Sequence, residues 1–241
     1  MVDTFLFDLD GTLLPLEMDE FIRIYFSEMG KALSDLIEPK RLAENIWAAT
    51  RSMVANLEPK TNEAVFMEAF AGLIGGDLSV YRSRFDAFYE GPFLKAKAAV
   101  VDQPMIRKSV ALLKEKGYEL VIATNPIFPK QAILRRIEWA GFSPEDFSYI
   151  SSYEHNHYCK PQLQFYQEVL ADTGKKPEDC MMVGNDVEED LIAGQLGIET
   201  FLITNYLIQK PGTNIVCDCQ GDYDAFYRFV TSLPEIGFKG A

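Results

Sequence analysis

The chain has 241 residues, 48% hydrophobic and 24% charged, enough to bury one large core or two modest ones in an ordinary globular protein. With 36 acidic against 23 basic residues the net charge is −13, which disfavours nucleic acid and anionic membranes as partners, because counterion release needs clustered Lys and Arg. No apolar run approaches the roughly 20 residues that span a bilayer, and the four cysteines are too few and too uneven for a disulfide scaffold. Asp3, Asp8 and Asp10 interrupt any signal-peptide pattern at the start, so a cytoplasmic location is the expectation.

Thr4 to Leu9 (TFLFDL) is a short apolar-aromatic run suited to a buried strand, and Asp10-Gly11-Thr12 breaks it. The rhythm then turns helical up to Glu90. Phe21, Ile22, Tyr25, Phe26 and Met29 share one helix face, Leu42, Ile46 and Met53 a second. Val65, Phe66, Ala69, Phe70 and Leu73 form a third set, and Leu78, Tyr81, Phe85 and Phe88 a fourth. Pro39, Pro59 and Gly75-Gly76 separate the four.

After Pro92 helix and strand alternate. Pro104 starts a helix that stops at Gly117, Glu119 to Ala123 reads as a strand, and the next helix ends at Gly141. Ser148 to Ser151 reads as a short strand, and Pro161 is expected to open a helix. Cys180 to Val183 and Thr200 to Ile203 are further strands, separated by a helix that stops at Gly197. Beyond Asn205 the pattern is less legible, although Tyr223 to Val230 suits a terminal helix. The fold class expected is α/β: a doubly wound parallel sheet, residues 1–15 and 91–241, interrupted by an all-helical insertion at 16–90.

In such sheets ligands gather beyond the carboxyl ends of the strands. The first strand leads into Asp8 and Asp10, which strand alternation puts on one face. Two carboxylates this close need a cation or a shared proton. The second strand leads into Thr124-Asn125-Pro126, neutral donors that suit a phosphate oxygen but equally a plain turn. Lys160 precedes a helix start, where its charge opposes the helix dipole and invites an anion; alone it reads as a surface lysine. The fourth strand leads into Gly184-Asn185-Asp186-Val187-Glu188-Glu189-Asp190. Asp186 and Asp190 lie four apart, and four acids in five residues exceed what helix capping requires. Hard oxygen ligands in such a cluster favour magnesium.

Taken in order, Asp8-Leu9-Asp10-Gly11-Thr12, Thr124-Asn125, Lys160-Pro161 and Gly184-Asn185-Asp186…Asp190 resemble the four motifs of the haloacid dehalogenase-like superfamily. The inserted helices resemble its cap. The resemblance implies that Asp8 is a nucleophile forming an aspartyl-phosphate, and that Asp10 serves as acid and then base. It also implies phosphoryl binding by Thr124, Asn125 and Lys160. Mg2+ would be held by Asp8, Asp10 (through its carbonyl), Asn185, Asp186 and Asp190. The superfamily often carries aspartate directly after the glycine of the fourth motif; here Asn185 stands there, so either its carbonyl oxygen or Asp186 meets the metal.

Electrostatics supports these roles: a carboxylate about 4 Å from a phosphate dianion meets roughly 8 kcal/mol of repulsion at an effective dielectric near 20, which cations must offset. Hydrolysis of a small phosphorylated metabolite is the function expected. A sugar-phosphate phosphomutase and a non-catalytic phosphate-binding module are the alternatives. Carbon–halogen hydrolysis is disfavoured because related dehalogenases lack the second acid. The run His155, His157, Cys159 has no fourth ligand for zinc and is placed instead near the substrate entrance.

Overall fold

The computed structural model describes residues 1–236. Six strands form one parallel sheet: β1 (Thr4–Phe7), β2 (Glu119–Ile122), β3 (Tyr149–Ile150), β4 (Cys180–Gly184), β5 (Glu199–Ile203) and β6 (Cys219–Gly221), in the order β3-β2-β1-β4-β5-β6. Every pairing is parallel. The helices are α1 (Met18–Ala32), α2 (Pro39–Val54), α3 (Asn62–Ala71), α4 (Leu78–Glu90), α5 (Pro104–Glu115), α6 (Lys130–Trp139), α7 (Leu163–Thr173) and α8 (Tyr223–Ser232). Among the described residues no helix is long and apolar enough to cross a membrane.

Alternation along the strands gives each sheet face its own core. Phe5, Phe7, Ile122 and Val183 cluster with Ile106 of α5 and with Tyr223 and Phe226 of α8. Leu6, Val121 and Met182 turn the other way, onto Phe165, Tyr166 and Val169 of α7. Both faces are covered, which is why these strands read as continuous apolar runs. The chain order reverses between β1 and β4, and this switch point opens the crevice in which ligands of doubly wound sheets bind.

The four helices between β1 and α5 pack on one another and share a buried apolar cluster with one face of the sheet. Side chains of Glu38, Thr61 and Asp77 accept from the first backbone N–H groups of α2, α3 and α4, the capping that their polar loops predict. The two linkers run side by side: Leu16 pairs antiparallel with Val100, and Val101 N donates to Pro15 O at 2.9 Å. Successive 3-10 turns over Pro92–Ala99 insert Phe93 between Phe21, Tyr25, Phe88 and Tyr89 of the helical unit and stack it on Trp139 of α6. Buried Asn62 donates to the carbonyls of Pro126 and Tyr158, both at 3.3 Å, and Asn62 N donates to Asn156 O, so α3 is fastened to the core loops.

Several expectations are corrected. β1 ends at Phe7 rather than Leu9, because Leu9 O accepts from both Thr12 N and Leu14 N and closes a turn. α7 starts at Leu163; Pro161 follows a cis peptide bond and Gln162 is the N-cap, so Lys160 stands three residues before the helix. The segment stopping at Gly197 is a 3-10 turn over Leu191–Leu196, not an α-helix. The short edge strand β6 carried no readable pattern in the sequence.

Tyr223 ties the last helix to the loop after β1: its hydroxyl donates to Gly11 O (3.1 Å) and Thr12 O (3.0 Å). Tyr223→Phe should therefore lower stability by about 1–3 kcal/mol, since two buried carbonyls lose their donor. A urea midpoint equal to that of the parent would contradict this.

Candidate active site

Asp8 follows the last residue of β1, with its N–H donating to Val183 O at 2.9 Å, so the sheet itself fixes its position. Lys160 reaches across from the loop after β3. Its Nζ lies 3.0 Å from Asp8 Oδ1 and 2.6 Å from Asp190 Oδ1, with Lys160 and Asp190 both almost fully buried. Burial alone would discharge the amine, but Asp190 and Asp8 outweigh it and hold the Lys160 pKa well above the usual range. Its main chain is also gripped: Asn125 Oδ1 accepts from Lys160 N at 3.3 Å and Asn125 Nδ2 donates to Lys160 O at 3.4 Å. The same Nδ2 donates to Glu189 Oε2 at 3.0 Å. Asn125, expected to touch phosphate, thus has both ends of its amide engaged in holding Lys160 and Glu189.

The fourth strand contributes a compact turn. Asp190 Oδ2 accepts from Asp186 N at 2.9 Å, and Asp186 Oδ1 accepts from the N–H groups of Glu188 and Glu189. Gly184 is required here by contact, not by conformation, because a Cβ would overlap the Asp190 carboxylate. Gly11 faces a similar demand: at φ +84° it lies against the Asn185 amide. Asn185 in turn accepts from Thr12 Oγ1 at 3.1 Å and donates to Tyr206 O at 2.6 Å.

Asp10 pairs through Oδ2 with Arg136, a residue of α6 that is 1% exposed and sits 4.3 Å over the Phe128 ring. Among the described residues Asp10 Oδ1 is buried without a hydrogen-bond partner, as is one Arg136 nitrogen. Arg136 was not singled out from the sequence. The signal was nonetheless there: it falls on the buried face of α6 with Ala132, Ile133 and Ile137, where a guanidinium needs an acid.

Asp8, Asp10, Asn125, Asn185, Asp186, Glu189 and Asp190 line one cavity of about 270 Å3, together with Thr124 and residues of the inserted helices. Five of its lining residues are acids, Asp8, Asp10, Asp186, Glu189 and Asp190, facing the two buried cations Lys160 and Arg136. Burial pushes Asp8 up to about 7, against the pull of Lys160 and with help from Asp190 and Asp10. Burial also lifts Glu189 to about 7, and raises Asp10 despite Arg136 beside it and Asp186 despite its two backbone donors. The centre has more negative charge than it neutralises.

Among the described residues no three His, Cys, Asp or Glu side chains converge as a ready-made metal cage. The oxygens at hand are carboxylates, the Asn185 amide and main-chain carbonyls, a hard donor set that suits magnesium, which takes one or two carboxylates and keeps waters or phosphate oxygens. The Asp10 Oδ1 without a partner among the described residues and the surplus of acids fit a cation. His155 pairs with Asp172 and His157 with Glu168, while Cys159 is buried apart; none of the three lines the cavity, contrary to the entrance expected for them.

A family model described as haloacid dehalogenase-like hydrolase matches residues 2–197. The chain is 32% identical over 105 residues to the glyceraldehyde 3-phosphate phosphatase of Methanothermobacter thermautotrophicus, a match covering 43% of this chain and 45% of that one, so under half of the relative's length. The 2-haloacid dehalogenase from Pseudomonas syringae pv. Tomato is similar at TM-score 0.65 and 17% identity, covering 96% of this chain and 99% of the other. The HAD-hydrolase YfnB from Bacillus subtilis, solved bound to magnesium, is similar at TM-score 0.60 and 17% identity, covering 95% and 99%. At these identities the structural likenesses establish the fold alone.

The buried triad of Lys160, Asp8 and Asp190 has a measurable cost if broken. Lys160→Met should destabilise the protein by about 3–5 kcal/mol by stranding two carboxylates. Adding Asp190→Leu should recover part of that loss. Equal stability of the single and double variants in chemical denaturation would show that the two groups are not coupled.

Proposed function

Because the chain belongs to the haloacid dehalogenase-like hydrolase family, we propose that it hydrolyses a small phosphomonoester through a phosphoryl intermediate on Asp8. The observation that carries this reading is the pairing of Asp8 with a buried lysine 3.0 Å away, beside a second acid, Asp10, that lines the same cavity. The phosphatase name of the Methanothermobacter relative points the same way.

Asp8 uses one carboxylate oxygen to attack phosphorus, in line with the departing alcohol. Lys160 offsets the charge that gathers on the transferring phosphoryl oxygens, and Thr124 lines the same floor as a neutral donor. Asp10, whose hold on a proton burial strengthens against the pull of Arg136, gives a proton to the leaving alkoxide; as a carboxylate it then takes one from the water that attacks the phosphoryl-aspartate. Arg136 fixes Asp10 Oδ2, which leaves Oδ1 for this exchange. The acid also separates phosphatase from dehalogenase chemistry, because a halide leaves as a stable anion and needs no proton.

Asp8, the Asp10 carbonyl, Asn185 Oδ1 and Asp186 are the groups that would hold Mg2+. Asp190 fits better as the anchor of Lys160, since Lys160 and Asp186 N occupy its two oxygens. The metal would supply further positive charge against the phosphoryl oxygens and so lower the repulsion between them and Asp8.

Asp8→Asn should abolish phosphate release across a panel of phosphate esters, and acid-quenched samples should contain phosphoprotein with the parent but not with this variant. Activity near that of the parent would place the nucleophile elsewhere. Asp10→Asn should slow turnover by about 100-fold or more. In chelator-treated protein, Mg2+ should raise the melting temperature more at pH 8 than at pH 5.5. Asp8, at about 7, is ionised at the higher pH, and protons compete with the cation at the lower. An equal shift at both values would remove these carboxylates from the metal site.

A further inference from the structure

The cavity above Asp8 is strongly polar at its floor and mostly apolar in its walls. Its walls are Phe21, Ile22 and Tyr25 of α1, Ile46 and Trp47 of α2, and Phe128 from the loop after β2. Tyr25 presents a ring and not a free hydroxyl, because that hydroxyl bonds to Tyr89 Oη at 2.8 Å. Beyond it, the inserted helices add only the Thr50 hydroxyl and the Trp47 indole N–H as polar groups to the described lining. Among the described residues no Lys, Arg or His lines the cavity; Lys160 and Arg136 are buried behind its floor, each already matched by carboxylates.

We propose, on the footing of the phosphatase reading above, that the site selects phosphomonoesters whose alcohol is uncharged and apolar, about the size of one aromatic ring. Three physical effects lead to this choice. A second anion on the alcohol would approach Asp186 and Glu189 with no unmatched cation to receive it. Several hydroxyls would lose water against aromatic and aliphatic walls that offer almost no partners. An apolar ring instead buries its surface among Phe21, Tyr25 and Phe128 and covers Trp47, which stands 44% exposed at the rim. The volume of about 270 Å3 limits size: it lies just under the range of drug-sized pockets, roughly 300–1,000 Å3, and must also hold the phosphoryl group.

The test compares benzyl phosphate, glycerol 3-phosphate and phosphoglycolate with the full chain and Mg2+. Benzyl phosphate should have a kcat/KM at least about 10-fold above each of the others, the gain expected from burying one ring. Equal values, or a preference for phosphoglycolate, would overturn the proposal. Trp47→Ala should narrow the ratio and Trp47→Lys should shift it towards phosphoglycolate; because Trp47 is half-exposed, the fold should survive, as circular dichroism would verify. An unchanged ratio in both variants would remove Trp47 from the substrate wall and overturn the proposal as stated. Calorimetry with benzylphosphonate and phosphonoacetate, neither of them hydrolysable, separates the two readings. Preferential binding of benzylphosphonate by a protein that hydrolyses none of the esters would sink the phosphatase reading and leave the apolar selectivity standing. No preference between the phosphonates would sink the selectivity itself.

Discussion

A single buried ammonium group organises this molecule. Lys160 is fully buried, and its charge is matched by Asp8 and Asp190 within hydrogen-bond reach, one at the tip of β1 and the other in the turn after β4. Neighbouring requirements follow from that. Asn125 grips the lysine backbone from the end of β2, Gly184 gives the Asp190 carboxylate room, and Tyr166 donates to Glu189 O at 2.7 Å to hold the acidic turn in place. Four strand ends are thereby drawn to one point at the place where the sheet reverses its order.

The second acid is treated differently. Asp10 has its own buried cation, Arg136, supported by the face of Phe128. Two acids of one short motif thus experience unlike surroundings. Burial raises both carboxyls, Asp8 to about 7 against the pull of Lys160 and Asp10 against that of Arg136, but Asp10 has one oxygen fixed and, among the described residues, the other buried without a partner. The surplus of carboxylates around them gives a physical reason for a divalent cation in an enzyme whose overall charge of −13 would otherwise repel phosphate.

The helical insertion supplies the remaining environment. Phe93, Phe128 and Trp139 join its aromatic cluster to the core, and Asn62 fastens α3 to the loops around residues 126 and 158. Its side chains Phe21, Ile22, Tyr25, Ile46 and Trp47 line the cavity opposite the acids.

Much of this was legible in the residues. Hydrophobic periodicity, with Pro and Gly as punctuation, marked the four inserted helices and five of the six described strands with small errors at their ends, because those signals are local. The order of the short polar motifs marked Asp8, Asp10, Thr124 and Lys160. What the sequence left open concerns partners distant along the chain: Lys160 is 152 residues from Asp8, and Arg136 is 126 from Asp10. Whether Asn125 touches a ligand or clamps a backbone, and whether Asp190 meets a cation from solvent or Lys160, depends on which groups the sheet brings together. Composition and periodicity determine elements and a list of chemically able residues. Only tertiary packing, by deciding which charges lose their water and beside which neighbours, assigned those residues their surroundings.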